Sequence, residues 1–450
     1  MAAAKQKKKQ QDAQPWQLAN PVTLTPDIAD KSQQQAVLIT VRQGDGLPIA
    51  SGQLGHAIAS RATHLMLDYS QTACAIRYQI DGQWEAMTPL AREFADPMLI
   101  ALKQICQLNP ADRRSAQSGR CEAKLNKDKY RLTLQSQGTA SGERVLIRLE
   151  AESIPFSKLS ELGMRDTMIE HFREALNSEN STVMIGAPRG MGLSTTWHIA
   201  LNTADRLIRD FQSLEPEDKK EPEIINVSPN FYGGSGPEPA ELIRKMILKE
   251  PDVFVFPGIP DEESLLAALN QAENNEKQVI ARVPAASAIE CCVKFCAQYP
   301  KAAKHFASTV KAVLNQRIVR RLCDDCKQSF QPSPALLKKL GIPPGRVGAL
   351  YQQFVMPPIE QQVDANGKPA PIEPCQTCQA RGFLGRVGIF ELLRPGPQFR
   401  AALLKTQDVA QLTKIAQAEG FRGLQAEAIL AVARGLTSIE EIRRVFAATK

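Results

Sequence analysis

Two sets of residues in this chain have types and spacings that could do chemistry. The first is Ala187-Pro-Arg-Gly-Met-Gly-Leu-Ser-Thr-Thr196, in which Gly190 and Gly192 precede Ser194 and Thr195. Glycines let a loop turn its backbone N–H groups onto phosphate oxygens, and a following helix aims its positive end at the same oxygens. The position before the serine calls for lysine, a point charge reaching the β- and γ-phosphates. Leu193 occupies it. Arg189, inside the loop, either swings over the phosphates as a displaced cation or points to solvent or a neighbouring subunit. Ser194 offers a hydroxyl to Mg²⁺, or else caps the helix. The expectation is a residual nucleotide loop that holds ATP/Mg²⁺ poorly.

The second set is Cys323-x-x-Cys326 and Cys375-x-x-Cys378. Each pair can grip one edge of a metal tetrahedron, and four soft thiolates suit a closed, structural Zn²⁺ site. A redox role for either pair is the weaker reading, because neither sits on a thioredoxin-like unit. Lys327 and Arg321 stand close enough in sequence to offset the negative charge of four thiolates. The remaining cysteines, scattered through the chain, read as buried small hydrophobes or incidental residues.

Elements able to position these residues can be read from periodicity. Val183–Ile185 is a short apolar run before the loop, and Trp197–Leu207 follows it with helical character; Trp197 is expected to face the core. From 171 to 320, apolar runs at Val183–Ile185, Ile224–Val227, Val253–Phe256 and Val279–Val283 alternate with helical patterns. That alternation implies an open α/β sheet with ligands at the carboxyl ends of its strands. Between 36 and 150 the pattern is mixed. Ala75–Ile80 reads as a strand into the Asp81-Gly82 turn, Pro97–Leu108 as a helix, and Tyr130–Leu134 and Val145–Leu149 as strands joined by a turn with Gly138 and Gly142. Residues 151–170 read as a linker running into a helix. Residues 321–395 form a Pro- and Gly-rich cysteine region, and helices at Val409–Glu419, Gly423–Arg434 and Ser438–Phe446 close the chain. Gly233-Gly-Ser-Gly-Pro237 reads as a flexible loop rather than a phosphate cradle, for want of a strand and helix around it.

At 450 residues the chain has room for several cores, and its 43% apolar and 23% charged residues are those of an ordinary globular protein. No run approaches the length of a membrane span and no secretory signal precedes residue 35, so a cytoplasmic location is expected. The net charge of +7 is modest. Part of it lies in Lys5, Lys7, Lys8 and Lys9, within a polar stretch, residues 1–35, read as a disordered basic leader. Contact of that leader with an anionic surface or nucleic acid is the sharper alternative, but no aromatic residues are interleaved to support it, and no nucleic-acid partner is expected. The five histidines show no ligand spacing. Arg317, Arg320 and Arg321 form a basic cluster that faces either a nucleotide, a neighbouring subunit or solvent.

Several stretches together resemble the type II secretion / type IV pilus assembly ATPase family. They are Arg113-Arg-Ser-Ala-Gln-Ser-Gly-Arg120, Gly142–Leu149, the loop Ala187–Thr196, Glu250-Pro-Asp-Val-Phe-Val-Phe-Pro-Gly-Ile-Pro-Asp261, Asn315–Cys323, and Gly382-Phe-Leu-Gly-Arg-Val-Gly-Ile-Phe-Glu-Leu-Leu393. The resemblance spans residues 40 to 450. It implies a RecA-like P-loop NTPase core (171–320) with an N-terminal α+β, PAS-like domain (36–150), a four-cysteine zinc module (321–395) and a C-terminal helical domain (396–450). It also implies a hexameric motor that engages inner-membrane platform proteins. Departures from the family pattern fall on its chemistry. Leu193 replaces the loop lysine, Ala187 the first glycine, and Gly258 a glutamate, with Pro260 where an arginine follows. Ser228 lies where an acidic pair is expected, Pro284 where a histidine is, and Thr133 near where an arginine reaches the phosphate. The resemblance therefore implies a pseudo-ATPase: a non-catalytic subunit, in a homo-hexamer or a hetero-hexamer with an active paralogue, or a docking platform. An atypical but active ATPase using Arg189 or a neighbour's residue is the alternative.

Overall fold

The computed structural model describes residues 14–234, 236–362, 370 and 372–447. The lysine-rich segment and its expected disorder lie outside the described residues. The chain divides into two units, residues 1–155 and 156–450.

The first unit is an eight-stranded sheet whose strand pairs are all antiparallel. Its strands alternate buried and exposed residues, as in Ala73–Ile80, so one face is covered and the other solvated. The covering helices are Gly46–Ala59 and Arg92–Ile105, which bury Leu54, Ala57, Met98 and Leu102 against the sheet. The hairpin expected around Gly138 and Gly142 is present, with Asp128–Thr139 pairing Gly142–Ala151. Asp81 and Gly82 take left-handed conformations at the expected turn.

Residues 14–35 of the expected leader are ordered, which corrects that part of the expectation. Pro15–Leu18 is a helical turn, Thr23–Pro26 pairs with Glu122 and its neighbours at the sheet edge, and Lys31–Arg42 is a helix capped by Asp30. Val22, Leu24 and Pro26 are the buried residues of the described stretch before the Lys31 helix, an alternation too short to stand out in the sequence. The docking groove is on the partner: Gly52 and Gly55 admit the carbonyl oxygens of Trp16 and Asn20, which would lie 2.3 and 2.0 Å from an added Cβ.

The second unit is built on a seven-stranded sheet. Strands Val227–Tyr232, Phe211–Pro216, Val253–Phe256, Gln278–Val283, Ser181–Gly186 and Val310–Leu322 lie side by side in that order, all parallel. Phe383–Leu393 then adds antiparallel to Val310–Leu322. The central strands Ser181–Gly186 and Val253–Phe256 are buried throughout and mainly apolar, as parallel strands with helices on both faces must be. The strand Phe211–Pro216 was not expected, because Gln212, Ser213 and Glu215 interrupt any apolar run although all three are buried. The strand expected at Ile224–Val227 lies instead at Val227–Tyr232. The boundary expected at 320/321 falls inside the strand Val310–Leu322, and the second cysteine pair leads straight into Phe383–Leu393. The cysteine region is thus an excursion between two neighbouring strands of one sheet. The three closing helices fall at Val409–Ala418, Leu424–Ala433 and Ile439–Ala447.

Candidate phosphate loop and candidate metal centre

Ser181–Gly186 is flanked on both sides by parallel strands, so the chain leaving its carboxyl end emerges at the middle of the sheet. It turns through Pro188–Met191, where the Met191 N–H donates to the Pro188 carbonyl, and enters the helix Leu193–Thr203. Gly190 (φ +76°) and Gly192 (φ +73°) supply the left-handed turns, Gly192 as the helix cap residue. This is a strand–loop–helix cradle with the geometry expected of a phosphate loop. It is fastened from the adjacent strand by buried Gln316, whose Nε2 donates to the Met191 carbonyl (2.6 Å) and whose Oε1 accepts from Thr196 Oγ1 (2.5 Å).

The charges do not match the cradle. Leu193 is the first helical residue, half-buried. Arg189 is exposed and, among the described residues, enters no ion pair. Ser194 is exposed in the first turn; no side chain caps this helix, so its expected capping role is not observed. Thr195 is half-buried beside it. Trp197 is buried, as expected, and carries the Arg282 guanidinium 5.5 Å above its ring. Arg282 donates bidentately to Glu221 (3.0 and 2.5 Å) and through Nε to the Pro257 carbonyl (2.7 Å). Burial pushes the His198 imidazole of the same helix down, and Arg206 adds to the effect.

The four cysteines converge. Cys323 follows the strand end at Leu322, and its carbonyl accepts from the Lys327 N–H (2.9 Å), making a tight turn that turns Cys326 back. Cys375 and Cys378 form a second turn, closed by the Ala380 N–H to the Cys375 carbonyl. The sulfurs of Cys323 and Cys375 are 3.9 Å apart, those of Cys326 and Cys378 3.5 Å, and all four lie within 4.8 Å of one another. Four sulfurs bound at about 2.3 Å to one tetrahedral ion lie about 3.8 Å apart. The geometry therefore fits a metal such as zinc. Backbone N–H groups of Cys378 and Thr377 pull the Cys375 thiol down to about 7, whereas burial pushes the Cys323 and Cys326 thiols up. Thr377 Oγ1 donates to Asp325, tying the two turns together. Arg321 and Lys327 are committed to Asp324 at 2.7 and 2.6 Å, so their charge is shared with that carboxylate rather than left for the thiolates alone.

The family model described as Type II/IV secretion system protein matches residues 48–444. The chain belongs to that family. It is similar to the type IV pilus assembly ATPase PilB of Acinetobacter baylyi, 25% identical over 392 residues that cover 86% of this chain and 64% of that protein. The type II secretion system protein E of Pseudomonas aeruginosa is 24% identical over 417 residues, covering 90% of this chain and 77% of that protein. This chain thus spans less than two thirds of the first relative's length. In fold it is similar to the ATPase DotB of Legionella pneumophila, with a TM-score of 0.56 at 14% identity, covering 88% of this chain and 95% of that one.

Within this secretion-family fold the expected positions separate. Gly258 and Pro284 follow strands near the loop strand and share its carboxyl-end rim. A side chain at Gly258 would meet open space. Ser228 does not join them. It is exposed on the outermost strand, four strands from the loop strand, roughly 19 Å away at about 4.8 Å per strand. Thr133 belongs to the first unit, between Arg120 and Arg148 on the neighbouring strands.

The carboxylates that do reach the rim were missed. Glu215, buried near the end of the unexpected strand, accepts from Ser213 Oγ (2.5 Å) and the Glu221 N–H (3.1 Å). The Gly233–Pro237 loop is framed by a strand and the helix Pro239–Ile247 after all, which corrects that reading. It is still no anion cradle, for Glu217 Oε2 would lie 2.7 Å from a Cβ at Gly234. The arginine cluster is spent within the chain: Arg320 on Glu441 (2.8 Å), Arg321 on Asp324, and buried Arg317 over the Phe446 ring (5.2 Å). Glu391, from the Gly382–Leu393 segment, accepts from the first N–H of two helices, Ala288 (2.6 Å) and Leu424 (2.8 Å), although burial pushes its carboxyl up.

Proposed function

We propose that this chain keeps the scaffold of a pilus or secretion motor without hydrolysing ATP on its own, and serves as a subunit or docking platform of such a machine. Leu193 carries the reading: an aliphatic side chain starts the helix of a loop whose backbone is otherwise set to receive phosphate. Losing one charge-assisted phosphate contact costs about 1.5–3 kcal/mol, some tenfold to a hundredfold in affinity. Gly258 supports it further, since a missing transition-state group costs about 10²–10³ in rate. The cysteine cluster, by contrast, retains every ligand, and we assign it a structural Zn²⁺. Partners on this reading are other copies or an active paralogue in a six-membered ring, and inner-membrane platform proteins reached from the cytoplasmic side. Among the described residues no helix is long and apolar enough to cross a membrane.

The rival reading, an active ATPase, draws on exposed Arg189 and on the carboxylates Glu215 and Glu221 at the rim. Mg-ATP binding and turnover by zinc-loaded protein separate the two. The expected result is no micromolar affinity and no turnover above the blank. Micromolar affinity with turnover that Arg189→Ala abolishes would overturn the proposal and make Arg189 the displaced cation.

A further inference from the structure

At the other end of the strands that flank the phosphate loop lies a cavity of about 630 Å³. Lys311 lines it from the start of Val310–Leu322 and Arg394 from just past the end of its antiparallel partner Phe383–Leu393, whereas Gln316, farther along the same strand, faces the loop. Arg165, Arg400 and Arg422 complete a set of five permanent cations. Two carboxylates share the lining, and both are already engaged. Glu427 is held bidentately by Arg165 (2.9 and 2.6 Å). Glu419 accepts the N–H groups of Gly396, Gln398 and Phe399 at the start of the helix Pro397–Leu403.

The cations are engaged to different degrees. Arg400 donates to the carbonyls of Ser308, Val310 and Pro395, which fix its direction without neutralising it. Arg394 reaches Glu174 only at 3.3 Å on an exposed surface. Lys311 and Arg422 are exposed, and among the described residues neither enters an ion pair. Five cations against two occupied carboxylates leave a concave surface with an excess of positive charge, which focuses potential into the cavity. The helix Asp166–Leu176 begins at the wall beside Thr167, the positive end of its dipole offset by Asp166 in its first turn. The volume lies in the range of small-ligand sites, about 300–1,000 Å³.

The geometry points to a second anion site here: the cavity binds a compact multivalent phosphate, either inorganic pyrophosphate or the polyphosphate of a nucleotide, through Lys311, Arg422, Arg394 and Arg400. It is separate from the loop at Gly190–Thr195 and does not depend on whether that loop binds nucleotide. Guanidinium groups match phosphate oxygens pairwise, and Arg400, fixed by its carbonyl partners, would share the anion with exposed Lys311 and Arg422.

Titration calorimetry of the full-length, zinc-loaded protein with pyrophosphate, and separately with ATP, at low and moderate salt tests this. Saturable binding of pyrophosphate is expected, weakened at least tenfold in the double variant Lys311→Ala/Arg422→Ala. Lys249→Ala, which removes an exposed charge elsewhere, should leave it within twofold. ATP binding more tightly than pyrophosphate, with the same loss in the double variant, identifies a nucleotide as the source of the phosphate. Absence of pyrophosphate binding, equal losses in Lys249→Ala, or no loss in the double variant would each overturn the proposal. So would a double variant that alters only the sedimentation of an oligomer, which would make the cavity a surface for a second copy.

Discussion

The phosphate loop and the cysteine cluster are both ligand cradles attached to the strand Val310–Leu322, one braced by its Gln316 and the other starting at its end. In the cluster, the side chains that set the shape are also the ligands, so Cys323, Cys326, Cys375 and Cys378 cannot drift without losing both. In the loop these roles are divided. Gly190, Gly192 and Gln316 set the backbone, while charge would have to come from residues such as Leu193 that the backbone does not need. A cradle of the second kind can keep its form while its chemistry is replaced.

If that distinction holds, the largest response belongs to the cluster. Cys323→Ser, or extraction of metal by a strong chelator, should reduce bound zinc from one per chain to near none, measured by atomic absorption. Structural zinc contributes about 10–16 kcal/mol in small domains that fold only around it. Here the strands on either side are anchored in a large sheet, so the loss should be local: protease cleavage within residues 324–382 and a lower melting temperature. A variant that keeps its melting temperature and resists protease would show that the four thiols need no metal.

Next in size is the support beneath the cluster. Arg320 lies 4.0 Å above the Phe383 ring, where the two strands leave for the cysteines, and is held by Glu441. Glu441 is buried, which alone would raise its carboxyl, but hydrogen bonds from Arg444 and Arg320 outweigh burial and bring it down to about 2. Its folded value thus lies below the usual 4.5. The stability it provides is present above 4.5 and is lost as pH falls from there through 2. Glu441→Gln should cost about 1.5–3 kcal/mol at neutral pH, since it removes charge-assisted hydrogen bonds from half-buried Arg320 and exposed Arg444. In urea titrations the gap between wild type and variant should narrow as pH is lowered below 4.5; a gap independent of pH would remove the ion pair from the explanation.

How much of this could be read in the sequence follows the same division between local and distributed information. The loop and the paired cysteines are local patterns, and both form where their spacing places them. The strand Phe211–Pro216 was hidden because its buried polar residues break the apolar signature: Gln212 is satisfied by the side chains of Asp210 and Asn230, and Glu215 by Ser213 and the Glu221 N–H. Missing it put Ser228 in a site from which it is four strands removed. The Arg320–Glu441 pair and the basic cavity draw on segments more than a hundred residues apart, joined only by the sheet. The ordered stretch after residue 14 depends on two glycines in another element.

On the loop side, Leu193→Lys tests whether the backbone is set to receive phosphate once charge is supplied. With the backbone already in place, the added charge should tighten Mg-ATP binding by tenfold to a hundredfold, about 1.5–3 kcal/mol. On the proposed reading turnover should not appear with the added charge, because Gly258 offers no carboxylate. Failure to gain affinity in a fluorescence titration would mean that the loop is closed to phosphate for reasons other than charge, and would erase the division of roles drawn above.

The smallest effects should come from the glycines, and their inequality is the informative part. An added Cβ at Gly190 meets nothing within 4 Å, so Gly190→Ala bears only the left-handed backbone strain, about 1 kcal/mol. At Gly192 the same methyl would stand 2.6 Å from Ile318 Cδ1 and 3.2 Å from Gln316 Nε2, pressing on the side chain that braces the loop. Gly192→Ala should therefore lose more stability in chemical denaturation than Gly190→Ala, with faster hydrogen exchange at the start of the helix Leu193–Thr203. Equal losses would place the entire cost in backbone conformation and leave Gln316 without the bracing role. The larger loss at Gly192 would mean that the loop's form is maintained from the neighbouring strand, independently of any ligand.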